Sequence, residues 1–351
     1  MPRADREPLN GKAFIAGCAG RQLTARERAF FSAERPWGLI LFKRNCRTKD
    51  QIRALVVEFR ELVGRPEAPV LIDQEGGRVQ RLGPPAWRPY PPGRVLGRLA
   101  QNDIESGRRA AWLHGRLIAA DLDELGITVD CLPVLDVSTP DASKVIGDRS
   151  FGGNPWLVAD MGRFVCNGLL DGGVLPVLKH IPGHGRAASD SHVMLPIVGT
   201  ALDDLEASDF VPFAALADMP MAMTGHVVYS AIDCDFPATT SPTVIRSIIR
   251  QRIGFDGLLM SDDISMGALS GDYAARATAV YAAGCDLVLH CNGRIEEMQD
   301  VARVAPPLDG LAGERAIRAL SQRQPPKAFD REAGRRELLS LAARAGWRRR
   351  R

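Results

Sequence analysis

Eight apolar runs of five or six residues recur along the chain: AFIAG (13–17), GLILF (38–42), PVLID (69–73), CLPVLD (131–136), LPVLKH (175–180), MAMTGH (221–226), GLLMSD (257–262) and DLVLHC (286–291). They are apolar on both faces, as parallel strands covered by helices must be. Between them lie stretches with helical spacing at 24–34, 48–63, 104–125, 155–171, 202–217, 242–252, 272–283 and 294–303. Thr24 and Glu27 form a capping-box signature, and Ser241-Pro242 places proline at a first helical position. Gly126, Gly172, Gly254 and Gly284 follow helical runs, where left-handed C-caps are expected.

Eight strands alternating with eight helices predict an α/β chain, a (β/α)8 TIM barrel over residues 1–304. A doubly wound sheet with an appended domain is the competing architecture. Residues 305–351 are expected to form a C-terminal helical extension with an Arg-rich tail, Arg348 to Arg351. The Pro-rich stretch 83–93 (GPPAWRPYPPG) is read as a rim over one end of the barrel.

Composition narrows the class only slightly. The 351 residues are 45% hydrophobic and 25% charged, an ordinary globular balance that excludes disordered, collagen-like and disulfide-scaffold chains. No apolar run approaches the ~18 residues needed to span a bilayer, and the first dozen residues are too charged for a secretory segment. A cytoplasmic protein that binds no membrane is the expectation. Seven cysteines without a C-x-x-C pair fit reduced thiols. A net charge of +3 is too small and dispersed to predict nucleic-acid binding. Only six of the 45 basic residues are lysines, so a lysine at a special position carries more information than an arginine.

Barrel enzymes place their chemistry at the C-terminal ends of the strands. The runs above end in Asp73, Asp136, Lys179-His180, His226, Asp262-Asp263 and, near the eighth, Asn292. A lone Asp after a strand is often the N-cap of the next helix, and for Asp136 or Asp263 singly the two readings balance. Six of eight strands ending this way favour a site. After the third strand, Gly76-Gly77 permit a tight turn, with Arg78 and Arg81 beside it. After the fifth, Pro182, Gly183 and Gly185 forbid a helix, so His180 and His184 are not a zinc-helix pair. Asp190 stands two residues before His192, where it can orient the imidazole and raise its basicity. For Asp262 at a strand end, spacing alone leaves nucleophile, metal ligand and base open.

DQEGGRVQR, KHIPGHG followed by DSH, GHVVYSAID and SDDISM together resemble the bacterial β-N-acetylglucosaminidases of glycoside hydrolase family 3 in their single-barrel form. The matching motifs span about residues 38–295 in order, and Asp-x-His on the loop resembles the hexosaminidase branch. The resemblance implies a retaining exo-β-N-acetylglucosaminidase of cell-wall recycling, acting on N-acetylglucosaminyl-1,6-anhydro-N-acetylmuramyl peptides. It implies Asp262 as nucleophile and His192, oriented by Asp190, as acid/base. Asp73, Arg81, Arg149, Lys179 and His180 would bind the terminal sugar. No cofactor or metal is implied; the partner is the sugar substrate, a muropeptide fragment, and the chain acts as a monomer. Two departures stand out: MTGH replaces an expected Pro-Ala-His, and Arg186 stands where a small or apolar residue is usual. A metal-dependent barrel hydrolase using His180, His184, His192 and His226 is the alternative, and a non-catalytic sugar-binding barrel the third reading.

Overall fold

The computed structural model describes residues 10–140, 145–187 and 194–348. Eight parallel strands, β1 (Lys12–Ala16), β2 (Pro36–Leu41), β3 (Val70–Ile72), β4 (Val129–Asp130), β5 (Leu175–Ile181), β6 (Met221–Thr224), β7 (Leu258–Asp263) and β8 (Leu287–His290), form the sheet. Each pairs with its neighbours in sequence and β8 returns to β1, so the sheet closes into a (β/α)8 barrel.

Alternate side chains of one strand enter different cores. Ile15, Ile40, Leu71, Val177, Met221 and Leu287 fill the barrel, whereas Phe14, Leu39, Ile72, Leu178 and Val288 pack outward beneath the helices. This two-sided burial is the physical reason the strands read as continuous apolar runs. The helix Gly310–Ser321 lies at the N-terminal end of the barrel, where Ala316 and Ala319 join Leu308 in the inner core. Arg315 of this helix and Arg250 pair there with the buried Asp286, at 3.0 and 2.8 Å. The opposite end carries the charged groups that line the cavity.

Local signals are realised at most helix ends. Thr24 and Glu27 form a reciprocal capping box on Ala25–Glu34, and Gly284 caps Tyr273–Ala283 in the left-handed region. Four expectations need correction. The fourth strand is regular only over Val129–Asp130; beyond it Pro133, lacking an N–H, interrupts the ladder, although Val134 still bridges Lys179. The helix expected over 202–217 divides into Leu202–Ala207 and Val211–Ala215, because Pro212 begins a new first turn and Asp209 turns inward between them. Gly172 is not left-handed; its neighbour Gly173 takes that conformation, with φ +77°. An unexpected helix occupies Gly93–Asn102, its spacing of Val95, Leu96, Leu99 and Ala100 masked by the prolines before it.

Residues 83–93 buttress the site end of the barrel. Gly77 N–H donates to the Tyr90 carbonyl at 2.9 Å. Tyr90 is buried and its hydroxyl donates to Asp121 at 2.6 Å while accepting from Arg335 at 3.0 Å. The C-terminal helix Arg331–Arg344 is thereby tied to Ile104–Asp123 and to the loop after β3.

Candidate active site

At the C-terminal ends of the strands lies a cavity of about 260 Å3. Ile40, Met223 and Leu289 give it an apolar floor, and Asp73, Glu75, Asp262 and Asp263 contribute carboxylates to its wall. The arrangement follows from sequence position: each carboxylate stands at a strand end or one turn beyond it.

Asp73 leaves β3 directly. Its Oδ2 accepts from Arg81 Nη2 at 2.8 Å and its Oδ1 from Lys179 Nζ at 2.8 Å. Lys179 Nζ also lies 2.6 Å from Glu75 Oε1, and Arg149 grips Glu75 with two bonds of 2.8 Å. Burial opposes the charge on Asp73 and Glu75, but the cations outweigh it and hold both carboxyls low, Glu75 at about 2. Burial likewise opposes the charge on Lys179, and the two carboxylates reverse this, raising its pKa. Lys179 is 2% exposed, so the five groups form a charged lattice braced from within. Arg81 is further fixed by stacking on Phe42, 4.9 Å from the ring centre, with Arg44 on the same ring.

The turn bearing Glu75 requires its glycines. Gly76 has φ +89° and Gly77 φ +60°, and a Cβ on Gly76 would lie 2.4 Å from the Pro91 carbonyl oxygen. Gln74 fastens the same ribbon, exchanging two bonds of 3.0 Å with the Leu82 backbone. Behind it, His114 Nε2–H donates to the Glu75 carbonyl at 3.0 Å; burial lowers the His114 pKa to about 4, so the ring is neutral.

His180 is oriented by Asp136. Its Nδ1 lies 2.7 Å from Asp136 Oδ2, and the other carboxylate oxygen accepts the His184 backbone N–H at 2.7 Å. Burial opposes ionisation of Asp136, yet His180 and His184 hold its pKa at about 2. Because that oxygen is an ionised acceptor, Nδ1 carries the hydrogen and Nε2 is the atom turned toward a ligand. Burial, then the neighbouring His180, push His184 down to about 4. His226 lies beneath β7, its Nε2–H donating to the Asp263 carbonyl at 3.0 Å and its Nδ1 2.8 Å from the Thr239 hydroxyl. Among the described residues no group of three or more His, Cys, Asp or Glu is disposed to hold a metal ion.

Asp262 differs from its neighbours. One oxygen accepts the Asp263 N–H at 2.8 Å, and among the described residues no side chain hydrogen-bonds or ion-pairs with the carboxylate. Burial favours its neutral form, but the fields of His180, His226 and Lys179 lower its pKa, so it is ionised and open to the cavity. Asp263, by contrast, is structural: it accepts from Ser265 Oγ at 2.6 Å and from the Cys291 N–H at 3.1 Å, tying β7 to β8.

Six sequence-predicted site residues, Asp73, Arg81, Arg149, Lys179, His180 and Asp262, thus line one cavity. Asp190 and His192 lie outside the described residues. The sequence does not single out Glu75, and it leaves Asp136 balanced between a helix cap and a site group. Glu75 stood inside the DQEGG motif, two residues after Asp73, and Asp136 at a strand end. Their partners, 74 and 44 residues away for Arg149 and His180, are visible only after folding.

Known proteins resemble the chain over most of its length. The model of the glycosyl hydrolase family 3 N-terminal domain matches residues 21–322. A β-hexosaminidase of Methylococcus capsulatus is 43% identical over 277 residues, spanning 78% of this chain and 80% of that protein. One from Chromobacterium violaceum is 41% identical over 304 residues, spanning 86% and 84%. The crystal structure of NagZ from Neisseria gonorrhoeae in complex with N-trifluoroacetyl-D-glucosamine superposes with a TM-score of 0.83 at 32% identity, covering 96% of this chain and 98% of that one.

Proposed function

The chain belongs to glycosyl hydrolase family 3 as a hydrolase of the β-N-acetylhexosaminidase type, and from that premise we propose a retaining mechanism with Asp262 as nucleophile. One observation carries the proposal. Among the described residues, Asp262 is the only carboxylate of the cavity wall without a side-chain partner, and it is held ionised. A paired carboxylate is spent on binding or scaffolding; an unpaired one facing the cavity can attack a sugar.

In the first half-reaction Asp262 attacks C1 as the glycosidic C1–O bond breaks. His192, oriented by Asp190, gives its proton to the departing oxygen. In the second, His192 takes a proton from water, whose oxygen attacks C1 and displaces Asp262. Two inversions return the β configuration. Asp73, Arg81, Arg149, Lys179 and His180 hold the terminal N-acetylglucosamine, with the His180 Nε2 and the Asp73–Lys179 pair meeting its hydroxyls. The compact cavity suits one terminal sugar, which supports exo-cleavage, and the Neisseria protein bound to an N-acylated glucosamine supports the sugar type.

The substrate of this reading is N-acetylglucosaminyl-1,6-anhydro-N-acetylmuramyl peptide released during cell-wall recycling, cleaved in the cytoplasm by a monomer. No helix among the described residues is long and apolar enough to cross a membrane. Proton NMR of an aryl β-N-acetylglucosaminide during turnover tests the mechanism. The β anomer of N-acetylglucosamine is expected to form first; first release of the α anomer would overturn it.

A further inference from the structure

Beside the sugar cavity lies a depression of about 610 Å3 that the groups described above leave unused. The two share Ile146 as a common wall. Ser138 and Thr139 from the segment after β4 line it, as do Gly147 and the pair Gly185-Arg186 from the segment after β5. Because the two hollows share the Ile146 wall, a group joined to a sugar in the cavity can extend into the depression.

Two guanidinium groups line it, and their circumstances differ. Arg186 donates to Asp209 Oδ2 at 2.7 Å and to Ser208 Oγ at 3.0 Å, so a carboxylate already answers its charge. Arg94 has no carboxylate partner among the described residues. Its Nη2 donates to Ser138 Oγ at 2.9 Å and to the Gly147 carbonyl at 3.1 Å, while Nε and Nη1 have no acceptor there. Neutral acceptors take both Nη2 hydrogens and fix the guanidinium plane without cancelling its charge, leaving the Nε and Nη1 hydrogens for single charge-assisted bonds to a carboxylate oxygen.

We propose that this depression is the subsite for the leaving group and that Arg94 binds a carboxylate carried by it. The inference rests on the glycosidase mechanism above. It makes Arg94 a specificity residue, because a neutral leaving group gains nothing from it. The carboxylate has two chemical sources: the free lactyl group of a peptide-free anhydromuramic acid, or the first acidic residue of an attached peptide.

The experiment compares kcat/KM for the peptide-free disaccharide as free acid and as methyl ester, in the wild type and in Arg94→Gln and Ser138→Ala. A hydrogen-bonded carboxylate predicts a wild-type preference for the acid of about tenfold, expressed in KM. Arg94→Gln is expected to abolish the preference and Ser138→Ala to retain it, since the serine positions the arginine without supplying charge. Taking the ratio within each protein removes any general loss from imperfect folding. If the preference appears only with an alanyl-isoglutamyl peptide attached, the peptide is the source. Equal rates for charged and neutral forms of both substrates, or a preference surviving Arg94→Gln, would overturn the assignment of Arg94. A wild type inactive on aryl N-acetylglucosaminide would instead overturn the glycosidase reading beneath it.

Discussion

The two walls of the sugar cavity are built from the same residue types and behave differently. On the side of β3 and β5, Asp73 and Glu75 are each gripped by two cations, with Lys179 shared between them. On the side of β7, Asp262 has only a backbone donor among the described residues. The first wall is a preorganised charged surface whose charges support one another in a low-dielectric setting. The second presents a charge that no described side chain pairs with. Burial and a depressed pKa therefore do not by themselves single out a nucleophile, since both walls have them; the proposed mechanism rests on the missing side-chain partner.

The sharpest way to break this comparison is Asp262→Asn, which removes the charge and keeps the shape. Turnover of an aryl N-acetylglucosaminide is expected to fall by about 10^3-fold or more, with the unfolding midpoint almost unchanged. A large stability loss would place Asp262 with the scaffold. Lys179→Met probes the opposite wall. It leaves Asp73 and Glu75 with one cation each, Arg81 and Arg149, and is expected to cost about 3 kcal/mol in denaturant unfolding, besides weakening the sugar site. Stability equal to the wild type would contradict the lattice.

A smaller effect comes from pH. Glu75 and Asp136 have folded pKa values of about 2, below their unfolded values near 4. Their contribution is therefore complete above about pH 5 and declines as pH falls toward 2. The urea midpoint is expected to drop between pH 5 and pH 3, and Glu75→Gln to flatten that dependence. A midpoint independent of pH over that interval would count against these ion pairs.

Much of this was legible along the chain. Apolar runs located seven of the eight strands and came within a few residues of the fourth, because a strand buried on both faces leaves no polar position to hide it. The residues ending those runs located the site, since a barrel offers only one end for catalysis. The helix Gly93–Asn102 escaped because the prolines before it outweighed a spacing that was present. The fourth strand was placed a few residues late because Pro133 sits inside its apolar run and local hydrophobicity cannot see a broken ladder. Glu75 escaped for another reason: a Glu beside two glycines has the composition of an exposed turn.

By itself the sequence determined the barrel, the end of it that carries chemistry, and a motif set resembling one enzyme family. Periodicity and strand-end residues are local properties, so they survive reading one residue at a time. Only the tertiary structure decided which carboxylates are neutralised and which is left ionised without a side-chain partner among the described residues. Asp73 meets Lys179 across 106 residues and Glu75 meets Arg149 across 74. Charge pairing depends on distance and dielectric in space, and neither exists until the barrel closes.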